Sequence, residues 1–230
     1  MTTDPLAPSP WSKPDTVAGF VASPPNATLL QIASDELMRA PRRRALDVGC
    51  GAARNAVPLA AQGWRVVGLD LSLPMLHAAL DRVARELGGE NPPRLALAAM
   101  DHLPVADRSA DLVIAHGIWN LARSGAEFRQ AVREAARAAA HHAALFVFTF
   151  SRNTLPADAQ PVEGESFVFT QFSGEPQCFL TEQQLVSELE EAGFIRDAAV
   201  PVRELNRPRP GALAASRVPV IYEGLFRRRE

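Results

Sequence analysis

The sequence predicts an α/β protein built on a doubly wound, mostly parallel sheet that ends in an antiparallel strand pair. Three observations predict it. Short β-rich runs alternate with helical stretches from residue 44 onward, the pattern of βαβ units. The first run passes through Gly49-Cys50-Gly51 directly into a helical stretch. The second run ends on an acidic side chain, Asp70. At 230 residues the chain is large enough to bury a core as a single domain without disulfides or metal.

Residues 1–25 hold six prolines and little periodicity, which predicts an extended arm. Trp11 and Lys13 are unusual in such a segment. Over residues 26–38, Leu29, Leu30, Ile32, Ala33 and Leu37 fall near helical spacing ahead of a break at Pro41, predicting a helix beside the site. Strands are expected at 44–48, 65–70, 94–99, 111–115 and 143–150, and helices at 54–62, 73–87 and 127–140. Gly63 and Gly88 are placed to cap the first two of these helices. Residues 151–177 are polar, aromatic-rich and irregular, and read as an insertion over one face of the sheet. Thr181 caps a helix over 182–192 that Gly193 closes. The apolar runs 195–202 and 218–226 form the terminal antiparallel pair. The division expected is an arm and cap helix over 1–40, then the sheet domain over 41–230. No internal repeat is visible.

Composition excludes several classes of function. Twenty-four Lys and Arg against 26 Asp and Glu leave a net charge of −2, so no overall field draws the protein to nucleic acid or a lipid surface. The two cysteines, Cys50 and Cys178, form no CxxC pair, which supports neither a disulfide framework nor a zinc site. His141-His142 reads as a solvated pair and not half of a metal site. No cationic region precedes an apolar run at the amino end, and no run of about 18 apolar residues occurs. These features predict a cytoplasmic protein with no bound metal, no nucleic-acid partner and no membrane association. They fix no oligomeric state.

The stretch ALDVGCGAARNAVPLA carries the chemistry. Glycines permit a tight turn and close backbone approach, and the helix that follows presents unpaired N–H groups to a ligand. A dinucleotide fingerprint requires a third glycine where Arg54 stands. Asp47 discriminates further: at about 5 Å from a diphosphate its carboxylate would cost on the order of 3 kcal/mol, whereas it would attract an ammonium group. S-adenosylmethionine offers an ammonium and a sulfonium and no phosphate, so Asp47 matches its methionine half. Asp70 stands 19 residues beyond Gly51, where a carboxylate can accept ribose hydroxyls. Met100 and Asp101 follow the third strand, where they can meet an adenine ring and its amino group. His116, Gly117, Trp119 and Asn120 leave the carboxyl end of the fourth strand, the edge at which open α/β sheets bind ligands.

These motifs resemble the class I S-adenosylmethionine-dependent methyltransferases over residues 42–150. The run GCGAARNAVPLA followed by WRVVGLDLS further resembles the tellurite-resistance and thiopurine-type small-molecule branch, whose loop typically reads GCGxGRN. The resemblance implies a Rossmann-like methyltransferase fold with S-adenosylmethionine as cofactor. The resemblance assigns Asp47, Gly49, Gly51, Arg54, Asn55, Asp70, Asp101 and His116 to the cofactor pocket, and Cys50, Leu71, Met100 and His102 beside them are expected to contribute to it. Two departures stand out: Ala53 replaces the third loop glycine, and His141-His142-Ala143 replaces the Pro-Gly-Gly turn usual before the fifth strand.

Several roles stay open at this level. Cys50 reads as a small residue accommodated in the turn, since no His partner is implied. Met100 serves equally for ring stacking or core packing, and Asp101 for adenine binding or a turn. His116 is the one candidate general base, with pocket lining as the alternative. Trp119, Asn120 and Phe172, with Trp11 and Lys13 of the arm, are expected to form the acceptor side and a lid, core packing being the competing account for the aromatics. The function expected is methyl transfer to a small molecule, the alternatives being a nicotinamide-dependent oxidoreductase or a non-catalytic S-adenosylmethionine-binding protein.

Overall fold

Strand β1 (Arg44–Val48) is buried beyond its first residue and β4 (Ala110–His116) is buried up to its last, as central parallel strands covered on both faces must be. The computed structural model describes residues 3–40, 42–207 and 218–230. Around β1 and β4 lie β2 (Arg65–Asp70), β3 (Arg94–Leu97) and β5 (Ala139–Phe150), all parallel. The order across the sheet is β3-β2-β1-β4-β5-β10-β8, where β8 is Phe194–Arg196 and β10 is Ile221–Arg228. Among the described strands of this sheet only β10 runs against the rest, and it also pairs with β9 (Arg203–Leu205). The result is a Rossmann-like sheet of the class I methyltransferase type. Two small strands, β6 (Val168–Phe169) and β7 (Gln177–Cys178), form a separate hairpin.

Helices divide between the two faces. α2 (Ala27–Leu37), α3 (Ala56–Ala61) and α4 (Leu73–Leu87) pack with Trp64, Ile114 and Phe146 on one side. α5 (Gly125–Ala138) and α6 (Glu182–Glu191) pack with Val113, Leu145 and Phe194 on the other. Four of the five start at a side-chain cap. Asn26, Ser72, Ser124 and Thr181 accept the N–H of the third helical residue at the starts of α2, α4, α5 and α6, and Gly88 closes α4 in the left-handed conformation at φ 55°.

The structure departs from the sequence reading in four places. The amino-terminal segment is not extended: a 3-10 turn (Pro10–Ser12) leads into α1 (Pro14–Ala22), with Pro14 in the first turn, where its missing N–H costs nothing. None of the residues of α1 is buried, so its periodicity is faint. The insertion is ordered, with its own apolar cluster of Leu155, Phe169 and Phe179. Of the run 195–202 only the start is strand, and β9 follows it. β5 begins at Ala139, four residues earlier than expected, and includes His142 at φ 62°. Pro41, read as a helix break, lies outside the described residues.

An ion cluster ties α2 to the far edge of the sheet. Arg227 of β10 donates both terminal nitrogens to Glu36 at 2.6 Å and its Nε to Asp197 at 2.7 Å. Burial pushes both carboxyls upward, yet the hydrogen bonds and charge of Arg227 hold them below their ordinary values. Their contribution is therefore present above the unfolded values of 4.5 and 3.8 and lost as pH falls through the lower folded ones. Arg227→Ala leaves Glu36 with Arg39 alone and Asp197 with only the N–H groups of Ala199 and Val200, and is expected to cost about 3 kcal/mol near neutrality. Denaturant titrations of both proteins at about pH 7 and about pH 3 check it, the gap narrowing at the acid end.

Candidate functional site

The site is built where β1 and β2 end side by side. Their register sets Val48 opposite Leu69, and the Leu69 carbonyl accepts the N–H groups of Gly49 at 2.7 Å and Cys50 at 2.9 Å. The turn is thereby pinned to β2. Gly49 sits at φ +72°, where an added Cβ would lie 2.7 Å from Ile118, so no side chain fits. Gly51, at φ +52°, donates its N–H to Asp70 Oδ2 at 2.8 Å, while Ser72 donates to Asp70 Oδ1 at 2.8 Å. Burial pushes Asp70 upward, and the N–H groups of Ser72, Gly51 and Leu71 oppose it. Ala53, in place of a glycine, keeps φ 58°, a conformation that costs an L-residue about 1–2 kcal/mol.

Asp47 lies beneath this turn, 1% exposed, and neither carboxylate oxygen has a hydrogen-bond partner among the described residues. Burial lifts its pKa to about 7; the charge of Arg54 pulls it down and that of Asp70 pushes it up. Arg54 in turn donates to His116 Nδ1 at 3.1 Å and to the Pro24 carbonyl at 3.4 Å. Burial, then the Arg54 charge, hold His116 at about 3, so its ring is neutral. Since a guanidinium only donates, Nδ1 accepts and the ring hydrogen resides on Nε2. The ring stacks on Phe148 at 4.2 Å.

Asn26 closes the network from above. Its Oδ1 caps α2 through the Leu29 N–H at 2.8 Å, its Nδ2 donates to Glu223 of β10 at 2.9 Å, and its N–H donates to Asn55 Oδ1 at 3.0 Å. Asn26 Nδ2 also stands 3.3 Å from His116 Nε2. Asn26, Ser72, Phe20 and Glu223 were not singled out by the sequence reading. One signal existed: Glu223 is a lone carboxylate inside the apolar run VPVIYEGLF.

The remaining sequence candidates divide. Cys50 is buried and its thiol pushed far up, first by burial and then by Asp47 and Asp70, so it stays protonated. Leu71 is half-buried behind Asp70. The loop carrying Met100 and Asp101 leaves β3 beside Asp70, with the Ala98 N–H on the Asp70 carbonyl at 3.0 Å, whereas the His102 ring is exposed. Trp11 comes to the edge of the site: its carbonyl accepts from Ser72 Oγ at 3.2 Å and its ring meets Phe20 edge-on. Lys13 is exposed. Trp119 packs against Phe128, and Phe172 of the insertion packs on Phe150 at the end of β5 and on Phe179. Phe167 and Phe169 are likewise core residues.

Residues 46–147 match the family model described as a methyltransferase domain. No curated protein matches the chain in sequence. Among solved structures, an S-adenosylmethionine-dependent methyltransferase of Methanosarcina mazei superposes with TM-score 0.63 at 18% identity, covering 84% of this chain and 96% of that one. The 1,6-didemethyltoxoflavin N1-methyltransferase of Burkholderia thailandensis, solved with 1,6-didemethyltoxoflavin and S-adenosylhomocysteine, gives 0.60 at 18%, covering 87% and 78%. A (4+2) cyclase gives 0.65 at 20%, covering 88% and 81%. At these identities the likeness is one of fold.

Asp47 generates a prediction for the ligand-free protein. Its folded pKa of about 7 exceeds the unfolded 3.8, so its contribution is fully present below the unfolded value and lost as pH rises through about 7. His116 runs the other way: its contribution is present above the unfolded 6.5 and lost as pH falls towards about 3. Asp47→Asn removes only the first effect, and is expected to exceed wild type in stability by on the order of 2 kcal/mol more at about pH 8 than at about pH 5. Melting curves at the two pH values check this.

Proposed function

We propose that this chain transfers the methyl group of S-adenosylmethionine to a small-molecule acceptor, and the observation that carries the proposal is the buried, unpartnered Asp47 carboxylate beneath the glycine turn. A carboxylate in that state costs free energy unless a cation meets it. The α-ammonium of the methionine half is such a cation, and Arg54 beside it suits the α-carboxylate. We assign the ribose hydroxyls to the remaining lone pairs of Asp70, and close backbone approach to Gly49, Cys50 and Gly51. Asn55 and Leu71 complete the walls, and the loop of Met100, Asp101 and His102 takes the adenine end. When bound, the cofactor supplies a methyl group already activated on sulfonium. The work left to the chain is to hold the two reactants in line and keep water out, which is worth about 7–11 kcal/mol when orientation is good.

We assign His116 to positioning and not to proton transfer. Nδ1 is engaged by Arg54, Nε2 carries the ring hydrogen, and a group held near pKa 3 is a weak base at neutrality. The acceptor side is assigned to the carboxyl ends of β4 and β5, where Trp119 Nε1, Asn120 Oδ1 and Thr149 Oγ1 are buried without partners among the described residues. Three orphaned polar atoms favour an acceptor bearing hydrogen-bonding groups. Trp11 belongs to the cover over the ribose end; the exposure of Lys13 and the packing of Phe172 within the insertion give no support to a lid role for either.

Arg54 and Asp47 disfavour a nicotinamide dinucleotide at this turn. The net charge of −2 favours a small molecule over nucleic acid, and two buried, unpaired cysteines fit a cytoplasmic setting. No helix among the described residues is long and apolar enough to cross a membrane. The run GCGAARN supports the tellurite-resistance and thiopurine-type branch.

A radiolabelled-methyl screen over thiols, phenols, amines and chalcogen oxyanions tests transfer, and calorimetric titration with S-adenosylmethionine tests binding. Transfer to none of these classes despite tight binding would convert the reading to a binding protein or another reaction on the same fold. Asp70→Ala is expected to weaken binding about 10- to 150-fold, from the loss of charge-assisted hydrogen bonds worth about 1.5–3 kcal/mol. An ammonium beside Asp47 lowers its pKa, so binding below about pH 7 releases a proton and affinity rises with pH towards that value. Titrations in buffers of different ionisation enthalpy count the proton, which Asp47→Asn abolishes.

A further inference from the structure

A second cleft opens at the opposite end of the same strands. Parallel strands are ordinarily joined through a helix, yet residues 98–109, between β3 and β4, form none. This connector lays Leu103 and Val105 against the face that carries α5 and leaves the beginnings of β1, β2 and β3 open on that side. The opening is a cleft of about 780 Å³, floored by Leu46 and Val67 and walled by Pro93 and Val105.

Three guanidinium groups line it. Arg44 and Arg65 stand directly opposite each other in the parallel register. Arg94 is opposite Val67, two positions along β2 from Arg65, so all three side chains leave the same face of adjacent strands about 4.8 Å apart. All three are exposed. None forms an ion pair among the described residues. The residues outside that description contain no Asp or Glu to supply one. Like charges directly opposite on neighbouring strands are unfavourable, and an anion seated between them reverses the sign of that interaction. The floor is apolar, so the complementary molecule has an apolar body and several negative groups. The volume falls in the range of small-molecule sites, about 300–1,000 Å³.

We infer that this cleft is a second binding site, taking a small organic polyanion with a flat apolar body, such as an aromatic phosphate or sulfonate. It shares no residue with the Asp47 and Asp70 site, and the inference does not depend on methyl transfer.

Fluorescence titration of the full chain with 1,3,6,8-pyrenetetrasulfonate tests it. Saturable binding is expected, weakened about tenfold or more in the Arg44→Gln, Arg65→Gln, Arg94→Gln triple variant. It is also expected to weaken steeply between about 20 and about 200 mM salt. Excess S-adenosylhomocysteine is expected to leave it unchanged. No saturable binding, equal affinity in the triple variant, or displacement by S-adenosylhomocysteine would each overturn the inference. If the triple variant fails to fold, Arg65→Gln alone, which removes the central charge, is expected to weaken binding about threefold with an unchanged melting temperature, and unchanged affinity there is equally decisive.

Discussion

A carboxylate sealed from water with nothing to pair with is the constraint around which this end of the molecule is organised. Asp47 is placed by the last turn of a buried strand, where the backbone leaves it no route to solvent. Its field explains why a guanidinium, Arg54, occupies a position given to glycine in dinucleotide folds. Arg54 is then kept in place by a neutral imidazole and a backbone carbonyl, neither of which competes for the charge. Asn26, packed beside that imidazole, donates to Glu223, on a strand that comes late in the chain.

The elements that were legible in the sequence are those whose signals are local. β1, β2 and α4 begin and end where expected, because β-rich runs stop at Asp47-Val48 and at Asp70, and because Ser72 and Gly88 bracket α4 with side-chain and left-handed caps. The amino-terminal helix escaped because it buries no side chain, so it leaves no hydrophobic period to read. Asn26 was visible as the start of a helix, but its second role depends on Glu223, nearly two hundred residues away, and no spacing rule reaches that far. The aromatics of the insertion read equally as a cover or as core packing from the sequence, and in the structure Phe169 is buried with Leu155 and Phe179, with Phe172 packed against them.

The two positions that depart from the glycine pattern of the methyltransferases this sequence resembles are informative together. Ala53 and His142 stand where glycine is usual, and both keep a positive φ. The path of the backbone is therefore set by the sheet and its turns, and the residue yields to it. Similarly, the structural likeness to both methyltransferases and a cyclase separates what the scaffold dictates from what individual side chains decide. Here the discriminating groups are Asp47, Arg54 and Asp70, and the orphaned atoms near the ends of β4 and β5.

The amino-terminal segment is held almost entirely by polar contacts at its rim. Asp4 accepts the Leu73 N–H, Ser72 donates to the Trp11 carbonyl, and Arg82 donates to the carbonyls of Val21 and Ala52. Phe20 alone reaches inward, close over Gly51. None of the residues of its helix is fully buried, so releasing this segment exposes far less apolar surface than loosening the sheet. The glycine turn therefore takes its cover at Gly51 from Phe20, a side chain of this same rim-held segment.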